Sequence, residues 1–181
     1  GMREIPVKVH VDGPRSITVD RIGDEERVIE RLLLEADAGR CACWIRNTVG
    51  DAQDSLRILR ERSPSPERIY LFHARFALGA RLAIEKEQLE RFGRDSDHRT
   101  RCGHILIATQ VVEQSLDLDF DYLVSDIAPI DLLIQRAGRC QRHKRNAEGR
   151  MHDAADERGA PCLAIFAPEH EDDADEGWLA G

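Results

Sequence analysis

The chain has 181 residues, of which 41% are hydrophobic and 33% are charged, and its formal net charge is −8. This length suits one domain with its own hydrophobic core. No apolar run approaches the ~18 residues of a membrane span, and no signal peptide precedes the first charged residues, so the sequence predicts a cytoplasmic protein that contacts no membrane. The five cysteines are odd in number and scattered, which predicts reduced thiols and no metal site.

The acidic charge is concentrated in the last part of the chain. Residues 151–181 contain one basic and nine acidic residues, so residues 1–150 are neutral overall. Within residues 131–150, six basic residues accompany two acidic ones. The net charge therefore does not exclude a nucleic-acid partner, because a local basic surface is predicted.

Residues 1–22 predict an N-terminal ribbon of two short strands, at 5–11 and 16–21, which are joined by a Gly-Pro turn. A helix is then predicted from Asp24, a suitable N-cap, to about Ala38. Its apolar residues recur at helical spacing, so one face of this helix is expected to pack on a core.

Strands and helices alternate through the rest of the chain. Apolar stretches predict strands at 41–45, 68–72, 104–108, 122–125 and 162–166. Helices are predicted at 48–62, 78–92 and 131–145, with a polar loop at 93–103. Strands that are apolar on both faces indicate an α/β fold, a mainly parallel sheet with helices on both faces. We therefore expect one domain over residues 23–167 and an acidic tail at 168–181.

The segment DLLIQRAGRCQRHKR (131–145) is the most basic stretch of the chain. Drawn as a helix, it places Gln135, Arg139 and Arg142 on one side, with Gly138 in the middle. Arginine is suited to capture phosphate, because its planar guanidinium offers several donors and stays charged near neutral pH. From this segment alone, a phosphate clamp and a solvated basic helix end are equally supported.

Polar side chains cluster in sequence directly after four predicted strands. They are Arg46, Asn47 and Thr48; His73 and Arg75; Thr109, Gln110, Glu113 and Gln114; and Asp126. In an open parallel sheet, ligands bind where the carboxyl ends of the strands meet. Helix capping explains any one of these residues, but four clusters on one edge favour a binding site.

Several segments resemble those of a known helicase family. ILIATQVVEQSLDLDFDYLVSD (105–126) and IQRAGRCQR (134–142) resemble motifs V and VI of superfamily 2 helicases. Together with LFHARF (71–76) and CWIRNTV (43–49), they are similar to the second RecA-like domain of the CRISPR-associated helicase-nuclease of type I systems. The resemblance covers about residues 24–166, and it implies a RecA-like α/β fold.

The resemblance implies roles for individual residues. Arg139 and Arg142 match the motif VI arginines that reach the triphosphate of ATP, with Arg142 as the arginine finger, and Gln135 heads the motif. Asp117 matches the motif V acid that contacts the nucleotide or orders the arginines. Residues that match contacts to the sugar-phosphate backbone of single-stranded DNA are Asn47, Thr48, His73, Arg75 and Thr109.

Other expected parts of such an enzyme are absent from this sequence. It contains no GxxxxGK[ST] loop and no DEAH-type box, so the resemblance implies that Mg²⁺ and most of the ATP contacts belong to a first RecA-like domain. It also lacks the HD-type nuclease domain of the family. The 181-residue chain alone is therefore predicted to have no ATPase activity.

The resemblance implies the second motor domain of an ATP-dependent DNA helicase in CRISPR interference. Its partners would be single-stranded DNA, the first RecA-like domain of the same parent chain and an RNA-guided surveillance complex. Three alternatives stay open, namely a DEAH-like RNA helicase domain, a non-catalytic RecA-like adaptor, and an ordinary doubly wound enzyme with an unrelated ligand.

Overall fold

The computed structural model describes residues 16–113 and 116–168, apart from the Leu78 side chain. Its six strands form one sheet in the order β1-β6-β5-β2-β4-β3, and every neighbouring pair is parallel. The strands are β1 (Thr18–Ile22), β2 (Ala42–Ile45), β3 (Ile69–Phe72), β4 (Ile105–Ala108), β5 (Tyr122–Asp126) and β6 (Cys162–Phe166). The helices are α1 (Glu25–Asp37), α2 (Val49–Arg62), α3 (Leu78–Phe92), α4 (His98–Arg101) and α5 (Ile130–Ala137).

The sheet is covered on both faces, as predicted from its apolar strands. Alternate residues of β2 enter two different clusters, Cys43 and Ile45 on one face and Ala42 and Trp44 on the other. The second cluster contains the buried apolar residues of α1 and α2. The first contains Phe92 of α3 and the connection between β4 and β5. The two clusters together form the core.

Local sequence signals set the ends of the first two helices. The Asp24 side chain accepts a hydrogen bond from the Glu26 amide and caps α1. The chain leaves α1 at Gly39, whose φ of +78° favours glycine. The Thr48 side chain accepts from the Asp51 amide at the start of α2. These two predicted helix starts are therefore confirmed.

The predicted basic helix at 131–145 is wrong in its second half, because α5 ends at Ala137. Gly138 is the C-cap, not a mid-helix residue. Beyond it, the Phe120 amide donates to the Arg139 carbonyl and the Gln141 amide donates to the Phe120 carbonyl. This strand-like pairing buries Cys140 in the core and draws the chain away from the helix axis.

The predicted polar loop at 93–103 contains the short helix α4, which sequence reasoning missed. Asp97 caps it, and the Asp97 and Thr100 side chains form a reciprocal capping box. Each side chain accepts a hydrogen bond from the backbone amide of the other residue, so four residues suffice for one helical turn. The Asp-x-x-Thr spacing was the available signal.

Two predicted terminal features lie mainly outside the described residues. The first predicted ribbon strand, at 5–11, lies outside the described residues, and so does nearly all of the acidic tail. The second ribbon strand corresponds to β1, which pairs with β6 at the edge of the main sheet. Within the described residues, no helix has both the length and the apolar character needed to cross a membrane.

Candidate functional site

The polar residues that follow β2, β3, β4 and β5 lie along one edge of the sheet. These four strands are neighbours in the order β5-β2-β4-β3, and all run in the same direction. Their carboxyl ends are therefore adjacent, as expected from the sequence. Asn47, His73, Thr109 and Asp126 each mark the end of one strand. We call this row the carboxyl edge.

A buried arginine that sequence reasoning did not single out lies behind this edge. Arg136 of α5 is 0% exposed, and its Nε donates to the Glu113 carboxylate at 2.7 Å. Its Nη1 donates to Ser125 Oγ at 2.9 Å and to the Asp126 carbonyl at 3.2 Å. Both Nη atoms also approach Asn47 Oδ1, at 3.5 and 3.4 Å. Glu113, one of the polar residues noted after β4, was the available signal, because a carboxylate near the core calls for a cationic partner.

Asn47 is the exposed residue that Arg136 contacts. Its Nδ2 donates to the Ile127 carbonyl at 2.8 Å, and its backbone carbonyl accepts from Gln110 Nε2 at 3.0 Å. Thr48 is also exposed, and its hydroxyl caps α2. Both side chains therefore lie at the surface of the carboxyl edge, and both are held by neighbouring elements.

Asp126 organises the end of β5 from the interior. Its carboxylate accepts from Trp44 Nε1 at 3.1 Å, from Arg46 Nε at 3.1 Å and from the Asn47 amide at 2.9 Å. Burial raises the pKa of Asp126 above its usual value, although the charge of Arg46 opposes this shift. The carboxylate thus positions the turn after β2, and its hydrogen-bond partners are groups of β2 and of that turn.

His73 and Thr109 are buried, whereas Arg75 is exposed. The His73 ring stacks on Phe76 with ring centroids 4.1 Å apart, and its Nδ1 accepts from the Arg75 amide at 3.2 Å. Burial lowers the pKa of His73, as does the charge of Arg75 to a smaller extent. Of these three predicted nucleic-acid contacts, only Arg75 presents an exposed side chain.

The structure brings together Arg142 and Asp117 from the two segments that resemble motifs VI and V. Arg142 Nε lies 2.7 Å from Asp117 Oδ1, and the two side chains are 41% and 42% exposed. His143 Nε2 also lies 2.9 Å from Asp117 Oδ1. We call these three residues the Asp117 cluster. At the surface, this cluster places one guanidinium and one imidazole against a single carboxylate.

The other two residues predicted on the arginine face lie elsewhere. Gln135 is exposed on α5, whereas Arg139 and Arg142 follow the end of that helix, so the three do not share a helical face. Arg139 is 8% exposed and donates to the backbone carbonyls of Leu116 and Glu113. Burial lowers the pKa of Arg139, and so does the charge of Arg142. Arg139 therefore binds the β4–β5 connection in this structure.

A second arginine cluster lies at the opposite edge, before β2, β4 and β5. Asp119 is 0% exposed and contacts Arg145 at 2.5 Å, Arg158 at 3.1 Å and Arg101 at 3.3 Å. Asp121 contacts Arg101 at 2.7 Å and Arg158 at 2.8 Å. We call these five residues the Asp119 cluster. Arg145, expected in a solvated or clamping helix, is instead fully buried.

Comparison with known proteins relates this geometry to one family. The family described as CRISPR-associated nuclease/helicase Cas3, C-terminal, matches residues 38–145. The CRISPR-associated endonuclease/helicase Cas3 of Escherichia coli (strain K12) is 45% identical over 118 residues, covering 65% of this chain and 13% of the relative. The chain thus spans a small part of that protein.

Solved structures agree with the family match. The crystal structure of T. fusca Cas3 has a TM-score of 0.70 and 33% identity, covering 88% of this chain and 18% of the other. Its ATP form has a TM-score of 0.68, 32% identity, and coverages of 88% and 19%. A chain of a CRISPR RNA-guided surveillance complex in its pre-nicking state has a TM-score of 0.64, 30% identity, and coverages of 86% and 19%.

These matches confirm the RecA-like parallel sheet expected from the sequence. The family match extends over more than half of the chain, and it includes the β4–β5 connection, α5 and the Asp117 cluster. The chain belongs to the CRISPR-associated nuclease/helicase Cas3 family and corresponds to part of its C-terminal helicase region.

Proposed function

We propose that this chain is the second motor domain of an ATP-dependent DNA helicase that acts in CRISPR interference. The observation that carries the proposal is the Asp117 cluster, in which a motif V carboxylate holds a motif VI arginine at the surface. A guanidinium that is 41% exposed remains accessible to a phosphate from another domain. The ATP form of T. fusca Cas3 supports nucleotide use by a similar domain.

In this proposal, Arg142 is the arginine finger and Asp117 orients it. The guanidinium would neutralise negative charge that develops on the transferred phosphoryl group, an effect worth about 10³ to 10⁵ in rate. Arg139 would support this loop or move toward the nucleotide, and Gln135 would contact the nucleotide from α5. Mg²⁺ would be held by the first motor domain, so the isolated chain would not hydrolyse ATP.

The same proposal places single-stranded DNA along the carboxyl edge. Asn47, Thr48 and Arg75 offer exposed amide, hydroxyl and guanidinium groups that can bind a sugar-phosphate backbone without reading bases. His73 and Thr109 would contribute mainly from below, because both are buried. The similarity to a chain of a surveillance complex supports such a complex as the partner that supplies the DNA.

The test is ATP hydrolysis by the intact protein that carries this chain, measured with single-stranded DNA present. Arg142→Ala should lower kcat by at least about 10³-fold while ATP binding is retained. Arg57→Ala is the matched control, because Arg57 is also exposed and contacts a carboxylate, Glu61, at 3.2 Å. It should hydrolyse ATP normally. Unchanged turnover in Arg142→Ala would overturn the assignment of the finger.

A further inference from the structure

We propose that Arg136 is a positioning residue, which fixes the side-chain amide of Asn47 so that its NH₂ group faces the nucleic-acid backbone. The inference rests on the proposed function, since it assigns an orientation to one of the proposed DNA contacts. It concerns a residue that the proposed function leaves unused. Arg136 is fully buried, so it acts on a bound strand through Asn47 rather than by direct contact.

The neighbours of Asn47 define how its amide is oriented. An arginine side chain offers only donors, so the atom that faces Arg136 must be the acceptor Oδ1. A carbonyl offers only an acceptor, so the atom that faces the Ile127 carbonyl must be the donor Nδ2. A flipped amide would place two donors together and two acceptors together. The amide therefore has one favourable orientation.

This orientation leaves a donor at the surface. Nδ2 carries two hydrogens, of which one is used by the Ile127 carbonyl. Among the described residues, no further acceptor is hydrogen-bonded to Nδ2, and Asn47 is exposed. The second hydrogen is available to an external acceptor. A phosphate oxygen fits this requirement, because it accepts hydrogen bonds from amide groups without base specificity.

The buried contacts of Arg136 explain why it can hold this orientation. The guanidinium contacts the Glu113 carboxylate, Ser125 Oγ and the Asp126 carbonyl, so its plane is set by the core rather than by Asn47. A buried charge is costly unless it is fully paired, and here one carboxylate supplies the countercharge. Arg136 therefore presents donors to Asn47 in a fixed direction.

The experiment measures binding of fluorescein-labelled oligo-dT to the intact protein by anisotropy, at one fixed salt concentration. Asn47→Ala and Arg136→Lys should each weaken binding by roughly tenfold, the loss expected for one hydrogen bond. Lysine keeps the charge beside Glu113 but cannot span both Glu113 and Asn47, because its ammonium is a single point of contact. The double variant should bind no more weakly than Asn47→Ala, since Arg136 acts only through Asn47.

Ser125→Ala is the matched control, because it removes another partner of the same Arg136 nitrogen but leaves Asn47 and Glu113 in place. It should bind oligo-dT like the wild type. A similar loss in Ser125→Ala, multiplied losses in the double variant, or wild-type binding by Arg136→Lys would each overturn the inference. Wild-type binding by Asn47→Ala would overturn it too, and would remove this DNA contact from the proposed function. The assignment of Arg142 would be unaffected, because it is tested separately by ATP hydrolysis.

Discussion

Asp117 and Asp119 lie two positions apart, and each contacts arginine from the segment after α5, but their surroundings are opposite. Asp117 is 42% exposed and contacts Arg142, whereas Asp119 is 0% exposed and contacts Arg145. Leu116 and Leu118 are buried on either side of Asp117, and the chain then stays buried through Asp119 and Phe120. Neighbouring carboxylates of the same type therefore enter two different kinds of site.

The two clusters show that burial, rather than residue type, separates a structural arginine from a candidate functional one. In the Asp119 cluster, three arginines are paired with the carboxylates of Asp119 and Asp121, and Asp156 outside the cluster supplies the third negative charge. In the Asp117 cluster, the guanidinium of Arg142 stays accessible to an external phosphate. Loss of a charge should thus reduce stability at the Asp119 cluster and activity at the Asp117 cluster.

The largest expected effect on stability is at Asp119. Asp119→Ala leaves buried arginine charge without its carboxylate, which should lower the free energy of unfolding by about 3–5 kcal/mol. Urea denaturation of the chain measures this loss. Asp54→Ala is the control, because Asp54 is 74% exposed and its contact with Arg57 is 4.0 Å long. A loss below about 1 kcal/mol in Asp119→Ala would show that the cluster is not structural.

Glu113 offers a second, smaller test of the same distinction. Glu113→Gln keeps an oxygen acceptor for Arg136 Nε but removes the countercharge, and we expect a loss of about 1–3 kcal/mol in the free energy of unfolding. Glu61→Gln is the control for an exposed Glu–Arg pair and should stay within about 0.5 kcal/mol of the wild type. Equal losses in the two variants would contradict the role of burial.

The Asp119 cluster also predicts a dependence of stability on pH. Burial raises the pKa of Asp121, but the charges of Arg101 and Arg158 outweigh this effect, so its pKa lies below the usual value. The unfolded state therefore takes up the proton first as the pH falls below about 4. The contribution of Asp121 is present above that pH and is lost as the pH falls through the folded-state pKa.

Thermal unfolding between pH 2 and pH 6 tests this expectation. The wild type should lose stability more steeply below pH 4 than Asp121→Asn, which has no proton to bind at this position. Other carboxylates titrate in the same range, so the difference between the two curves is the relevant quantity. Parallel curves would show that Asp121 does not contribute.

Local patterns were sufficient to predict most of the fold. The alternation of apolar stretches and helical spacing predicted the strands and four of the helices, because both depend on neighbours within a few residues. α5 was predicted too long, since its end depends on pairing between residues 139–141 and Phe120, which lies about twenty positions earlier. Contacts between distant residues have no signature in a helical pattern.

The candidate site was predictable only in its outline. Parallel strands place Asn47 and Thr109 on one edge whatever the side-chain details, so that grouping followed from the fold class. From the sequence, Arg139 and Arg142 were expected on one face and Arg136 was not singled out, because the whole stretch was drawn as one continuous helix. Arg136 and Arg139 are buried and Arg142 is exposed because of how the chain turns at Gly138.

The smallest expected effect concerns the stability contributed by the Asp117 cluster itself. Asp117→Asn should change the free energy of unfolding by less than about 1 kcal/mol, because the pair with Arg142 is exposed. In 1 M NaCl the Debye length falls to about 3 Å, so even this small difference should disappear. The loss in Asp119→Ala should persist in the same buffer, since its ion pairs are shielded from salt by the core. If salt removed both differences equally, the contrast between the two carboxylates would fail, because burial would then not determine which arginines are structural.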